Sequence, residues 1–366
     1  MIRVRRRILL VAAVITTGAP IHARAQAAGR SIAPPVAARL AVRADRLVDV
    51  RAGTVVRDAV VLIEGNRITA VGRGLAVPAG VRVIDLGALT VLPGLVDAHT
   101  HLLHEYHREN GGDEENRILE VVKLGPSRRA LLGARIAREM LEAGFTTVRD
   151  LGNSGVDGAV ALRDAVASGW VTGPRIIAAG RALAPVGGQF ERMTREAQAL
   201  VVEQEYVQVS GADEARRAVR QSIYEGADWI KVIVNVGPRV LSLEELRAIV
   251  DEARRAGRSV AAHATQGDGP ALLAAEADVA SIEHAYTVSD TVLRLMAAKG
   301  IVLVPTDAPG VARYQARIQR ALRAGVRIAI GSDLYYADSA RTRGMASAGM
   351  YAAYVTAGMR PADLLR

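Results

Sequence analysis

Val91-Leu92-Pro93-Gly94-Leu95-Val96-Asp97-Ala98-His99-Thr100-His101 is an apolar run that ends on two histidines two residues apart. In a strand, side chains two apart share a face, so this spacing sets two imidazoles side by side where an apolar strand meets solvent. That is a metal-ligand geometry. It is equally the geometry of two surface histidines bracketing a turn, and the rest of the chain must separate the two readings.

Downstream of Val91, apolar strand-like segments alternate with helical ones. The strand candidates are Val91 to His101, Thr146 to Leu151, Arg175 to Gly180, Trp229 to Asn235, Ser259 to Thr265, Ser281 to Ala285, Ile301 to Thr306 and Arg327 to Asp333. Helical spacing fills most of the intervals, as in Arg128 to Ala143, Asp213 to Glu225 and Leu243 to Ala256. Eight such repeats predict an α/β chain folded as a (β/α)8 TIM-like barrel over residues 91–366. A doubly wound open sheet is the alternative, but no Gly-rich dinucleotide fingerprint opens the first helix. Upstream, residues 39–90 read as short strands punctuated by turns. In Ala59-Val60-Val61-Leu62-Ile63-Glu64, Gly65-Asn66 and Arg67-Ile68-Thr69-Ala70-Val71 the pattern is that of a hairpin, which predicts a small antiparallel β-sandwich domain.

In a (β/α)8 barrel the chemistry collects at the C-terminal ends of the strands. The polar residues at those ends are His99 and His101 on the first strand, Lys231 on the fourth, His263 on the fifth, His284 on the sixth and Asp333 on the eighth. The chain has 7 histidines, one of them (His22) near the N-terminus, and four of the remaining six fall at these positions. Chance scatter over surface loops would seldom place them so, and the metal reading of His99 and His101 gains accordingly.

Lys231 adds separate information. Lysine is scarce among the 47 basic residues, yet Lys231 sits inside Trp229-Ile230-Lys231-Val232-Ile233-Val234. A buried ammonium is costly, and desolvation pushes a lysine toward its neutral, nucleophilic form. Such an amine can add CO2 to give a carbamate, a bridging carboxylate that arginine cannot supply. A lysine that only reaches the barrel mouth to pair with an acid is the plainer alternative.

The 366 residues are half hydrophobic, with no cysteine, which leaves no disulfide or thiolate chemistry. Arg3, Arg5, Arg6 and Arg7, an apolar stretch from Ile8 to about Ile15, and Ala23-Arg24-Ala25 carry the three parts of a signal peptide over residues 1–25, followed by a Pro-containing linker over residues 26–38. This predicts a periplasmic or secreted protein with no membrane span once the signal is removed. Cleavage after Ala25 takes away five arginines and no acid, so the net charge falls from +9 to +4 and a nucleic-acid partner loses its main support.

At this point the chain resembles the amidohydrolase superfamily of metal-dependent hydrolases, in its imidazolonepropionase-like and Xaa-Pro dipeptidase-like branch. The matching segments are Leu92 to His101, Gly144-Phe145-Thr146-Thr147-Val148-Arg149-Asp150, Ile230-Lys231-Val232, Ala261-Ala262-His263-Ala264, Ser281-Ile282-Glu283-His284 and Ile330-Gly331-Ser332-Asp333. The resemblance implies two divalent metal ions, most often zinc. His99, His101 and Asp333 would hold the more buried ion, His263 and His284 the more exposed one, and carboxylated Lys231 would bridge them with a hydroxide. Asp333, a carboxylate beside that hydroxide, is the natural proton shuttle, first base and then acid. The implied reaction is hydrolysis of a carbon–nitrogen bond in a dipeptide, Xaa-Pro or similar, or in an N-acyl amino acid. An imidazolonepropionase-like cyclic amide hydrolase and a truncated, non-catalytic metal-binding relative are the alternatives.

Other residues carry less. His104 and His107 read as loop residues, solvated or touching substrate. Arg149 and Asp150 are expected to tie down a loop. Gly187-Gly188-Gln189 stands where relatives often carry Gly-Gly-His. Asn235, Tyr286, Asp307, Tyr335 and Tyr336 follow strand ends and are candidates to shape the pocket. Relatives also continue past the segment matching Ala357 to Leu365, so a chain ending at Arg366 is expected to leave its β domain without C-terminal strands. Association into a homo-oligomer is one way to cover the exposed edge.

Overall fold

Arg39–Asp49 (β1), Thr54–Glu64 (β2) and Arg67–Arg73 (β3) open residues 39–366, the part of the chain described by the computed structural model. The signal peptide and linker expected over residues 1–38 lie outside the described residues. β2 and β3 form the expected hairpin, with Glu64 opposite Arg67 and Gly65-Asn66 as the two-residue turn. Gly65 takes a φ of 60°, the left-handed conformation such turns need at little steric cost. β1 runs antiparallel to β2, whereas Arg82–Asp85 (β4) and Thr90–Val91 (β5) both run parallel to β1. The sheet is therefore mixed and not all-antiparallel as expected, because residues 74–81 carry the chain back past the hairpin before β4 begins. Among the described residues it is a single five-stranded layer, where a sandwich was expected. Val55, Ile68, Val71 and Val83 are exposed on it.

The remainder mixes strands and helices. Leu95–Thr100 (β6), Phe145–Asp150 (β7) and Arg175–Ala178 (β8) make one parallel sheet. Ala182–Pro185 (β9), Tyr206–Val209 (β10), Ile230–Ile233 (β11), Val260–Ala264 (β14), Ser281–His284 (β15) and Val302–Val304 (β16) make a second, with a small hairpin of Asn235–Val236 (β12) and Arg239–Val240 (β13) beside it. Helices α1 (Asp113–Lys123), α2 (Gly125–Glu142), α3 (Gly158–Ala167), α4 (Arg195–Glu205), α5 (Ala212–Tyr224), α6 (Leu243–Arg255), α7 (Gly269–Glu276), α8 (Asp290–Lys299), α9 (Ala312–Arg323), α10 (Arg343–Thr356) and α11 (Pro361–Leu364) alternate with them.

Hydrogen bonds join the two sheets at both ends. Asp228 N donates to Ala178 O at 2.8 Å just before β11. On the other side, residues 327–333 lie between β16 and β6: Leu303 N donates to Arg327 O and Ala329 N to Leu303 O, while Ala98 N donates to Ile330 O and Asp333 N to His99 O. This last segment was expected as a regular strand and forms only an isolated bridge, Leu303 to Ile328. It is crowded against its neighbour. A methyl at Gly331 would lie 2.5 Å from His99 Cβ and 2.6 Å from Val304 Cγ1, and Asp333 leaves the extended region with a φ of 51°.

The strands of the second sheet are apolar on both faces, as parallel strands flanked by helices must be. Val232, Ile230, Ala262 and Ile282 pack against the apolar stripe of α6, Leu246, Ile249, Val250 and Ala253, which recurs at helical spacing. Ser242 caps α6 and exchanges bonds with Glu245, fixing where the helix starts. No helix among the described residues is long and apolar enough to cross a membrane.

Candidate metal centre

β6 alternates so that Asp97 and His99 face inward and are buried, and His101 follows at the strand's exit. Lys231 lies in β11, His263 in β14 and His284 at the end of β15, and Asp333 follows the close approach at Gly331. All six residues line one cavity of about 270 Å³. His99 Nε2 is 3.4 Å and His101 Nε2 3.1 Å from the same oxygen, Oδ1 of Asp333, while Oδ2 is 3.6 Å from His284 Nδ1. The ring of His284 lies 5.0 Å from that of His99 and 4.5 Å from that of His263.

The far nitrogens fix the tautomers. His99 Nδ1 is 2.8 Å from Glu283 Oε2, and His101 Nδ1 meets the carbonyl oxygen of Gly152. A carboxylate and a carbonyl can only accept, so each Nδ1 carries a proton and Nε2 is the nitrogen left to offer a lone pair to a cation. His284 is held likewise: its Nδ1 is 2.9 Å from Thr306 Oγ1, whose own proton goes to Pro305 O. Two imidazole lone pairs thus face a carboxylate oxygen, with ligand atoms of His99, His101 and Asp333 within 4.8 Å of one another. Three acceptors so placed repel unless a cation lies among them, and imidazole with carboxylate is a donor set that suits zinc.

The local electrostatics point the same way. Burial, reinforced by the charge of Lys231, holds His99 and His263 well below the usual imidazole range, and burial with the charge of His263 does the same to His284. Burial raises the Asp333 carboxyl, but His99, His101 and Lys231 outweigh it and hold the group below its ordinary value. Burial pushes Lys231 down to about 8, against the pull of Glu283 and Asp333. Its amine is therefore substantially neutral near pH 8, the state that adds CO2.

Behind this ring stands Glu283, a residue to which sequence reasoning gave no role. Besides His99 it accepts from Arg149 Nη2 at 2.9 Å and Ser281 Oγ at 2.6 Å. Arg149 does more than tie down a loop, since its Nε also donates to Ala98 O and braces β6 against β15. Asp150 does fasten the loops, accepting from Leu102 N and Gly152 N. His104 is not a solvated loop residue: it is buried, hydrogen-bonded to Glu120 and packed near Arg129. His107 is half-exposed and lies outside the cavity. Gln189, Tyr286 and Tyr335 line the cavity. Asn235, Asp307 and Tyr336 do not; Asn235 accepts from Thr265 N, Asp307 pairs with Arg317, and Tyr336 donates to Asp113 at 2.6 Å. His104 itself reaches the wall, which Tyr106, Asp113, Arg117, Leu151, Asn153, Tyr206, Ile233 and Thr265 complete. The tertiary packing of α1 and β10 brings Asp113, Arg117 and Tyr206 to the site, and no local motif marked them.

The model of the Amidohydrolase family matches residues 90–366. The ochratoxinase of Aspergillus niger is 31% identical over 292 residues, 66% of this chain and 58% of that protein. The chain thus spans less than two thirds of that relative's length. An imidazolonepropionase of Salinispora tropica is 28% identical over 286 residues, covering 76% of this chain and 70% of its own length. Among solved structures, a Xaa-Pro dipeptidase with methionine bound in its active site superposes with a TM-score of 0.76 at 29% identity, covering 90% of this chain and 86% of that one. The segments that place His99, His101, Lys231, His263, His284 and Asp333 in one cavity all lie within the matched residues, and the chain belongs to the amidohydrolase family.

Proposed function

We propose that this protein is a metal-dependent hydrolase of carbon–nitrogen bonds that releases an amino acid from a dipeptide, Xaa-Pro or similar, or from an N-acyl amino acid. The observation that carries this reading is the convergence of two histidine lone pairs on Asp333 Oδ1 in the cavity that also holds Lys231, His263 and His284. The similarity to an ochratoxinase and to a dipeptidase that binds methionine supports the substrate class. The hydrogen bonds on both sides of residues 327–333 and at Asp228 support a closed (β/α)8 barrel. The signal-peptide pattern of residues 1–25 supports a periplasmic or secreted location.

In this reading His99, His101 and Asp333 would hold one ion and His263 and His284 a second, with Lys231, as its carbamate, a ligand they would share. Two divalent ions, zinc by the donor set, would supply a nucleophile near neutral pH and polarise the scissile carbonyl. The chain's own part is proton traffic and orientation. Asp333 keeps Oδ1 toward the two imidazoles, so Oδ2 is the atom that takes a proton from the attacking water and delivers it to the departing amine. Glu283 and the Gly152 carbonyl keep His99 and His101 in the tautomer that presents Nε2.

Metal analysis combined with a panel of dipeptides, N-acyl amino acids and a cyclic imidazolone tests the proposal. The expected result is about two zinc ions per chain and cleavage of open-chain amides that is abolished by a chelator. A chain that takes up no metal, or that binds metal and cleaves none of the panel, overturns it. Exclusive cleavage of the imidazolone would move the assignment to the reading that the imidazolonepropionase similarity favours.

A further inference from the structure

Arg117 enters the cavity from α1 and faces the histidines. Its Nη1 donates to Tyr206 Oη at 3.0 Å and its Nε makes a long contact of 3.4 Å to Tyr106 Oη. Both partners are neutral phenols. Each acid near Arg117 is engaged elsewhere. Asp113, one turn earlier on the same helix face, accepts from the hydroxyls of Tyr335 and Tyr336. Glu120 is bonded to His104, and Glu205 receives two guanidinium nitrogens of Arg129, at 2.6 and 3.2 Å. Among the described residues no carboxylate forms an ion pair with Arg117, while its charge is felt at His263 and contributes to lowering that imidazole.

Burial costs Arg117 part of its hydration, which Tyr206, Tyr106 and the charge of the more distant Glu205 offset, yet no acid is in direct contact with it to take up the remaining donors. The side chain is nonetheless fixed. Tyr206, which accepts from Nη1, donates in turn to Gln189 Oε1 at 3.0 Å, and the ring of Phe190 lies 5.5 Å from the guanidinium carbon. The planar fork is therefore oriented in advance, with donors left over, which is the form in which arginine recognises a carboxylate. We infer that Arg117 is the receptor for an anionic group of the substrate, the α-carboxylate of the amino acid that leaves when the amide is cut. The inference rests on the amide-hydrolase reading for the identity of that group, and its test separates the two.

The zinc-loaded protein is titrated calorimetrically with L-methionine and L-methioninamide, and its hydrolysis of N-acetyl-L-methionine is compared with that of the corresponding carboxamide. The expected result is a preference for the acid of roughly 10- to 100-fold, the worth of a charge-assisted bidentate contact, expressed mainly in Kd and KM. Arg117→Met is expected to remove that preference by weakening the acid alone, leaving the carboxamide within about threefold and the metal content unchanged, with Arg117→Lys intermediate. Equal binding of acid and carboxamide by the unaltered protein overturns the inference, and that comparison needs no variant to fold. Equal weakening of both ligands in a metal-replete Arg117→Met protein also overturns it. Acid-selective binding without hydrolysis keeps the receptor and removes the hydrolase reading; hydrolysis without selectivity does the reverse.

Discussion

Glu283 shows how much of a metal site lies one shell behind the ligands. A neutral amide at this position could still accept from His99, but it would lose the charge that Arg149 is placed to meet and could present an N–H to Nδ1. Glu283→Gln is expected to weaken metal binding by about 10- to 100-fold, the usual effect of losing such a partner, as read by competition with a chromophoric chelator. Lys231→Arg should bind only one metal and lose activity, since a guanidinium forms no carbamate; retention of both metals would refute the bridging role. The direction of the Lys231 shift gives a pH prediction. The free amine is needed for carbamate formation, and burial brings its titration down to about 8, so metal uptake by the stripped protein should speed up as pH rises through about 8 and level off about one pH unit above it. Added bicarbonate should accelerate it, and indifference to bicarbonate would count against the carbamate. That these six residues meet in one cavity was legible in the sequence, because each lies within or at the end of a run of strand-forming apolar residues. Glu283 and Arg117 were not, because what defines them is a partner far away along the chain.

At the scale of elements, the parallel strands were legible for the same reason that they are stable: Val, Ile and Ala runs buried on both faces, bounded by capped helices. The errors fall where the backbone departs from regularity. Residues 327–333 were read as a strand, but the approach of Gly331 to His99 and the left-handed turn at Asp333 leave only a bridge. β9 and β10 were missed because Ala182-Leu183-Ala184-Pro185 lacks β-branched residues and ends on a proline, and Tyr206 opens β10 directly after α4 with no turn residue between. The close approach is itself testable. Gly331→Ala would force a methyl to 2.5 Å from His99 Cβ, and is expected to destabilise the protein by about 1–3 kcal/mol and to loosen metal binding. A lower midpoint of urea unfolding at an unchanged slope would show it. An unchanged midpoint would mean that the segment yields more easily than its contacts imply.

For the whole molecule, the candidate metal centre draws on strands from both sheets, so in the proposed reading its occupancy should bear on global stability. Ions bound at a thousandfold excess over their dissociation constant contribute about 4 kcal/mol each, and their removal should lower the melting temperature by roughly 10 °C. Calorimetry with and without a chelator reads this directly, and coincident melting curves would show that the frame holds itself together without them. The two sides of the cavity are built differently. His99, Lys231, His263, Glu283 and His284 stand on strands cross-braced by Arg149, whereas Tyr106, Asp113 and Arg117 all sit on the single excursion between β6 and α2. In the proposed reading that excursion is the separable module of the site: mutation there would rewrite which molecules are accepted while the strand-borne residues are inherited intact, so such a protein would be free to acquire new substrates without first losing its old chemistry.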